Sequence, residues 1–472
     1  MTDAGALASR LEGVAKLAVV SSTLLAIAFE AYVGALGWAA LFPATLATFV
    51  LSLLVARVTP RWLLVAVLIT GPLVPVIFFA LFSEYVIAYN TVWLAALAGL
   101  VLADAPLSRW ALPRRVALPL ACWALAIALV WPIIVARESG FSWHLLFEGR
   151  STTGRGVPPK VVAVWVCNVA ATYMLGILWF EWMFRRFEAR PLLFRRLVLL
   201  PLAASMFVAA LMAIYQGTAD VTWMSDHAWP RSGRAGGSLI DGNAAGALMA
   251  MWTAAFLALS LSDKWALRAA GGLGFAASWA GLWATGSRMA LAAGLVIIAF
   301  AGFAVIRASR LRGRLGLATI VITLALAASV TVILRVDWDP TRPMGRLLAS
   351  LPALGDLAGF AERELWNRHA PAGTISVRMV ERFPFVGIGL GCFNHIYTDF
   401  AYELTGVRPV FDNAQSWYRH QLAEMGTLGS VGWITWTLVM GWVLLRSGGG
   451  DRLSAQASLV KGGIVAIAIV SL

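Results

Sequence analysis

The stretch ALPLACWALAIALVWPIIVA, residues 117–136, decides the fold. It holds 20 residues and no charge. At about 1.5 Å per residue, a helix of that length covers about 30 Å, the hydrocarbon thickness of a bilayer. Its apolar residues do not alternate with polar ones as in a half-buried strand, which excludes a transmembrane barrel.

Outward from it the same pattern recurs. Apolar spans fall at 17–35, 38–56, 62–83, 87–104, 117–136, 160–184, 196–216, 243–262, 269–285, 289–306, 315–334, 427–446 and 457–472. They predict an all-α polytopic transmembrane bundle of roughly twelve to thirteen helices with one long, partly helical outer loop. Composition agrees. Of 472 residues, 60% are hydrophobic and 13% charged, and the mean hydropathy is +0.78. A soluble chain of this size needs many more charges to cover its surface. Trp38, Trp62, Trp110, Trp265 and Trp338 lie near span ends, where an indole anchors at the membrane interface.

The net charge is +13. The basic residues are scattered through loops, with no basic domain to hold a nucleic acid, so nucleic-acid binding is excluded. Membrane lipids with anionic headgroups, or a diphosphate lipid, fit that distribution better. Cys122 and Cys167 lie in apolar runs and Cys392 stands alone in a long loop, so no structural disulfide is expected. The polar stretch Met1–Lys16 leads into a span long enough to remain a helix rather than a cleaved signal.

Loop charge sets the orientation. Arg57 and Arg61 share one loop, and Arg109, Arg114 and Arg115 the next but one. Then come Arg185, Arg186, Arg190, Arg195 and Arg196; Lys264 and Arg268; Arg307, Arg310, Arg312 and Arg314; and Arg446 and Arg452. All fall on one side if the N-terminus is cytoplasmic, as the positive-inside rule requires. The chain then divides into a first membrane region at 1–334, a large outer loop at 335–426 and final membrane helices at 427–472. Apolar-periodic stretches Met344–Ala361 and Thr374–Phe383 predict helices within that loop.

Two short outer segments break the charge rule. HAWPRSGRAGGSLIDGN carries Arg231 and Arg234 ahead of a span, and the turn TGSRM carries Arg288. A guanidinium fixed at the interface needs a compensating anion or carboxylate, and its fork suits phosphate. Gly233, Gly236, Gly237 and Gly242 allow a close backbone approach, and amides at the helix start near Asn243 favour an anion. In the long loop, TISVRMVERFPFVGIGLGCF sets Arg378 and Arg382 on one helix face before Pro384 ends the helix. FDNAQSWYRHQLAEMGTLGS returns the chain to the membrane, with Gln415 and Arg419 on one face and His420 and Glu424 four apart on another. All five histidines, His144, His227, His369, His395 and His420, fall in outer segments, so His-based proton transfer is expected there alone.

At RAGGSLIDGNAAG, TGSRMALAAGLV, RMVERFPFVGIGLGCF and QSWYRHQLAEMGTLGSVGW the chain resembles the O-antigen ligase and O-antigen polymerase superfamily of bacterial envelope glycosyltransferases, over Arg231 to Trp433. The resemblance implies transfer of a glycan from undecaprenyl diphosphate to an acceptor hydroxyl on a glycolipid or growing glycan. It places the protein in the bacterial inner membrane with a periplasmic active site. It further implies that Arg234 and Arg288 bind the diphosphate and that Arg378 supports the same site; Arg231, in the same outer loop as Arg234, is a further diphosphate candidate from the charge argument. The family's catalytic His aligns with Gln415, which cannot act as a base, so His420, Glu424 and Asp412 stay open for that role.

Arginines near a departing diphosphate can stabilise its charge, so an inverting single displacement is expected with no cofactor and no metal. Asp337 and Asp339 have the D-x-D spacing of a metal site, but a solvated or capping turn beside Pro340 explains them more simply. The alternative is a transporter or flippase of lipid-linked glycans, for which Glu30 and Glu181 are the main intramembrane acids.

Overall fold

The computed structural model describes residues 3–35, 39–73, 75–76, 86–104, 110–138, 159–225, 233–262, 264–307, 372–406, 416–446 and 461–464. Among them there are helices and no strand: α1 (Asp3–Ala35), α2 (Leu41–Val58), α3 (Pro60–Thr70), α4 (Val86–Leu102), α5 (Arg114–Glu138), α6 (Pro159–Phe187), α7 (Leu200–Thr218), α8 (Gly242–Ser260), α9 (Trp265–Thr285), α10 (Arg288–Arg307), α11 (Ala372–Arg382), α12 (Phe393–Thr405) and α13 (Trp417–Arg446). Among the described residues six segments are long and apolar enough to cross a membrane: Glu12–Gly34, Leu41–Val58, Arg114–Arg137, Val162–Phe187, Pro191–Thr218 and Gly242–Ser260. The chain is a multi-pass helical membrane protein. The predicted span 315–334, the stretch Met344–Ala361 and residues Asp337, Asp339, Arg231, Asp412 and Gln415 lie outside the described residues.

One predicted span is interrupted. Within the span expected over 62–83, α3 ends at Thr70 and residues 75–76 are helical again, while 74 and 77–83 lie outside the described residues. Gly71 and Pro72 follow, and proline has no N–H to continue the ladder. Leu73 N–H turns back to the Thr70 carbonyl at 2.9 Å, and the Ser205 hydroxyl takes up the Ile69 carbonyl at 2.7 Å. The span expected over 196–216 begins earlier, at Pro191, and passes through a π-turn at Arg195–Leu199 next to Pro201. A proline there also removes a ladder donor, and the wider turn accommodates the loss.

The chain forms two compact units. The first comprises residues 1–67, 85–195 and 361–443. The described part of the long loop belongs to it and does not form a unit of its own. Within it α1 and α6 run antiparallel, fixed by polar contacts at two levels. Lys16 Nζ meets Glu181 Oε1 at 2.6 Å, and Asn168 Nδ2 donates to Glu30 Oε1 at 2.8 Å. These levels are about 20 Å of helix apart. Lys16 and Glu181 are both buried, the Ala111 N–H also donates to Glu181, and the Trp110 ring lies beside Lys16 Nζ. Removing one partner of such a pair costs about 3–5 kcal/mol, because the other charge is stranded. This pair marks one end of the unit. The described parts of the long loop gather at the other end, near the start of α6.

The second unit comprises residues 68–84, 196–360 and 444–472. Its core joins α7 (Met206, Ala210), α8 (Met249, Phe256), α9 (Phe275, Trp279) and α10 (Ala290, Ile297). Small residues let these helices approach closely. A Cβ on Gly271 would stand 2.3 Å from the Ser260 backbone nitrogen, so only glycine fits that crossing.

Candidate active site

The site in the first unit is built around a break in α13. Gly426, at φ 63° and ψ −173°, interrupts the helix. An unbroken helix would pair Thr427 N–H with the Ala423 carbonyl and Leu428 N–H with that of Glu424. Here Thr427 and Leu428 donate instead to the carbonyls of Pro384 and Phe385, at 2.8 and 3.0 Å. The carbonyls of Ala423 and Glu424 accept from Ile388 and Gly389, at 2.9 and 3.0 Å. The helix and the Pro384–Gly389 loop thus exchange partners, and these four backbone groups at the break stay paired. The sequence allows this because Gly387 and Gly389 take φ of +70° and +114°.

That clasp sets the side chains. Glu424 is buried and its Oε1 accepts the Phe393 N–H at 3.0 Å, at the start of α12. A carboxylate there answers the partial positive charge of a helix N-terminus. The same Oε1 lies 3.1 Å from His420 Nε2, one turn back on α13. The His420 ring stacks on Phe393 at 4.5 Å between centroids. Its side chain keeps 22% exposure, against 2% for Glu424. Burial pulls the imidazole pKa down, but the charge and hydrogen bond of Glu424 outweigh it, and the net direction is upward. With Nε2 on Glu424, Nδ1 is the nitrogen that can take a proton. The structure therefore brings two of the candidate residues together, a partly exposed His420 and a buried Glu424. Beneath them Trp417 Nε1 and Gln421 Nε2 both donate to the Tyr173 hydroxyl, at 3.0 and 2.7 Å, and lock the first turn of α13 to α6.

Arg378 is placed differently. The buried face of α11 carries Ala372, Ile375, Ser376 and Met379. Arg378 stands on the exposed face, 3.0 Å from Glu381, and Arg382 pairs with Glu403 on α12 at 3.3 Å. Sequence reasoning missed Arg137. It sits at the C-terminal end of α5, where its Nη2 donates to the Ile388 carbonyl at 2.8 Å and reaches Cys392 Sγ at 3.8 Å. The signal was present in the sequence, a single arginine closing an uncharged span at the end expected to be outer.

In the second unit, the loop before α8 and the turn between α9 and α10 meet through Arg234. The side chain is buried. Its Nε donates to the Thr285 carbonyl at 2.9 Å and its Nη2 to Asn243 Oδ1 at 2.6 Å. Thr285 closes α9, so a guanidinium at this carbonyl satisfies a helix end and its negative dipole. Gln216 extends the knot, accepting from Gly237 N–H at 2.8 Å and donating to the Trp223 carbonyl at 2.9 Å. The expectation of anion-binding amides near Asn243 is corrected. Asp241 caps α8, and its Oδ1 already accepts from Asn243 and Ala244 N–H at 2.8 and 2.7 Å. Asp at an N-cap fills the position an external anion would take. Arg288 begins α10, three residues after Thr285.

These contacts give Arg234 a measurable structural role. Arg234→Ala leaves the Thr285 carbonyl and the Asn243 side chain short of a partner, which costs about 2–3 kcal/mol. The melting temperature of the purified protein should fall clearly, and Arg234→Lys should recover only part of it because the fork is lost. An Arg234→Ala variant that melts like wild type while losing ligand binding would assign this side chain to a ligand alone.

Among the described residues no three His, Cys, Asp or Glu side chains gather as a metal site would require. Comparison with protein-family models, with curated proteins and with solved structures finds no match to the chain.

Proposed function

We propose that the chain is a membrane glycosyltransferase of the O-antigen ligase or polymerase type, moving a glycan from a polyprenyl diphosphate, undecaprenyl diphosphate in bacteria, to an acceptor hydroxyl at the outer face of the cytoplasmic membrane. The observation that carries the proposal is the His420–Glu424 pair, a partly exposed imidazole beside a buried carboxylate, 3.1 Å apart. In the proposed step the acceptor oxygen bonds to the anomeric carbon as the bond from that carbon to the diphosphate oxygen breaks. The electron pair leaves with the diphosphate, the hydroxyl proton passes to His420 Nδ1, and the anomeric centre inverts. Positive side chains beside the leaving group lower the barrier by stabilising its developing charge.

Purified protein in detergent, given an undecaprenyl-diphosphate oligosaccharide and a panel of lipid A–core, glycan and peptide acceptors, should yield an acceptor heavier by one glycan unit in mass analysis. The yield should survive EDTA. No product with any acceptor removes the transferase reading, and loss in EDTA restored by Mg²⁺ or Mn²⁺ removes its metal-independent form.

One observation favours a transporter as the second reading. Glu30 lies fully buried in a spanning helix, held by Thr91 and Asn168, with Oε2 unpartnered among the described residues. Buried intramembrane acids of this kind often mark ion or substrate paths. Detergent abolishes the second compartment, so product formed there is transfer and not transport.

A further inference from the structure

Glu30 stands on the spanning segment Glu12–Gly34 of α1 and is 0% exposed. Three helices of the first unit meet at its carboxyl. Thr91 Oγ1 of α4 donates to Oε1 at 2.6 Å, and Asn168 Nδ2 of α6 donates to the same oxygen at 2.8 Å. Asn90 Nδ2, also of α4, donates in turn to Asn168 Oδ1 at 3.0 Å. Thr91 and Asn168 are themselves buried. Oε2 has no hydrogen-bond partner among the described residues, and no Lys, Arg or His among them pairs with the carboxyl.

The ionisable side chain facing Glu30 from α6 is Cys167, which is fully buried. The described side chains of α4, Asn90–Leu102, include none. On α2 the ionisable group is Arg57, in the last turn, and on α5 Arg137 is engaged by the Ile388 carbonyl. An uncompensated carboxylate in such surroundings is costly, so the group either takes a cation or is neutral. The direction of the hydrogen bonds separates the two. A bound cation would be met by oxygens. Here the Asn168 amide presents its N–H to the carboxyl, and Asn90 fixes it in that sense by occupying Oδ1. Two donors on Oε1 and none on Oε2 are the pattern of a neutral acid, with Oε1 as carbonyl oxygen and Oε2 as hydroxyl.

We propose that Glu30 is a proton-binding site inside the bundle, a carboxylic acid protonated on Oε2 where α1, α4 and α6 meet. The assignment depends on neither the transfer nor the transport reading.

Infrared spectroscopy of the full chain in detergent at neutral pH tests it. The difference between wild type and Glu30→Gln should contain the carbonyl stretch of a protonated carboxyl, moving to lower wavenumber in D₂O. Thr91→Val removes one donor from Oε1, so the same band should persist and move to higher wavenumber. Melting temperatures are read in parallel, and Glu30→Gln should stay folded because its amide oxygen can accept the same two donors. If it does not fold, the Thr91→Val shift decides alone. A Glu30→Gln difference without the band, or a band that Thr91→Val leaves in place, overturns the proton site. So does a wild-type melting temperature that Na⁺ or Li⁺ raises at constant ionic strength while Glu30→Gln stays unmoved, which would make the carboxylate a cation site.

Discussion

In the transfer assay His420→Ala is expected to cut the rate at least about a hundredfold, the lower range for losing a positioned general base. The protein should remain folded, because the ring is partly exposed and packs mainly on Phe393. Glu424→Gln separates the two roles. On the proposed mechanism the base is lost as pH falls through the His420 pKa, which Glu424 holds above the ordinary value of about 6.5. The acidic limb of the pH profile should therefore lie above that value. In Glu424→Gln the carboxylate charge is gone and burial is left as the dominant influence, so the limb should move to lower pH. Much of the rate at high pH should survive, since a neutral imidazole is already the working form. The opposite pattern, in which Glu424→Gln loses the limb altogether and His420→Ala keeps it, would make Glu424 the base.

Gly387→Ala and Gly426→Ala are expected to abolish folding, or to cost more than about 4 kcal/mol, the range reserved for backbone strain combined with overpacking. The two glycines face each other across the clasp. A Cβ on Gly387 would lie 2.4 Å from the backbone carbon and oxygen of Glu424, and one on Gly426 would lie 2.5 Å from Gly387 nitrogen. Both also sit at positive φ, where a Cβ is strained. Neither contact is with a flexible side chain that could yield. Gly176→Ala in α6 is the control, because nothing lies within 4 Å of its built Cβ. That variant should match or slightly exceed wild type in stability, since alanine is the better helix former. Size-exclusion profile and melting temperature in detergent are the readouts. A Gly387→Ala protein with wild-type melting would mean that the loop does not exchange hydrogen bonds with α13.

Much of the bundle was legible in the sequence, because a bilayer leaves few choices. An uncharged run of about twenty residues must satisfy its own backbone, and a helix does so by local contacts alone. Residues 117–136 and 160–184 therefore predicted α5 and α6 to within a few residues. The pairing of His420 with Glu424 was legible for the same reason, since four residues make one helical turn. Hydropathy alone does not show breaks that local chemistry imposes: within the apolar run over 62–83, Gly71 and Pro72 end α3 at Thr70.

What only the tertiary structure decided is which partners the long loop and the arginines take. Glu424 is held by the Phe393 N–H, 31 residues away. Arg137 joins the site through Ile388, 251 residues away. Arg234 reads equally well as a ligand arginine or a helix cap until the Thr285 carbonyl is seen 2.9 Å from its Nε. Sequence spacing determines neighbours within a helix turn, where the backbone dictates geometry. Contacts across such separations depend on how several helices pack at once, and no local pattern encodes them.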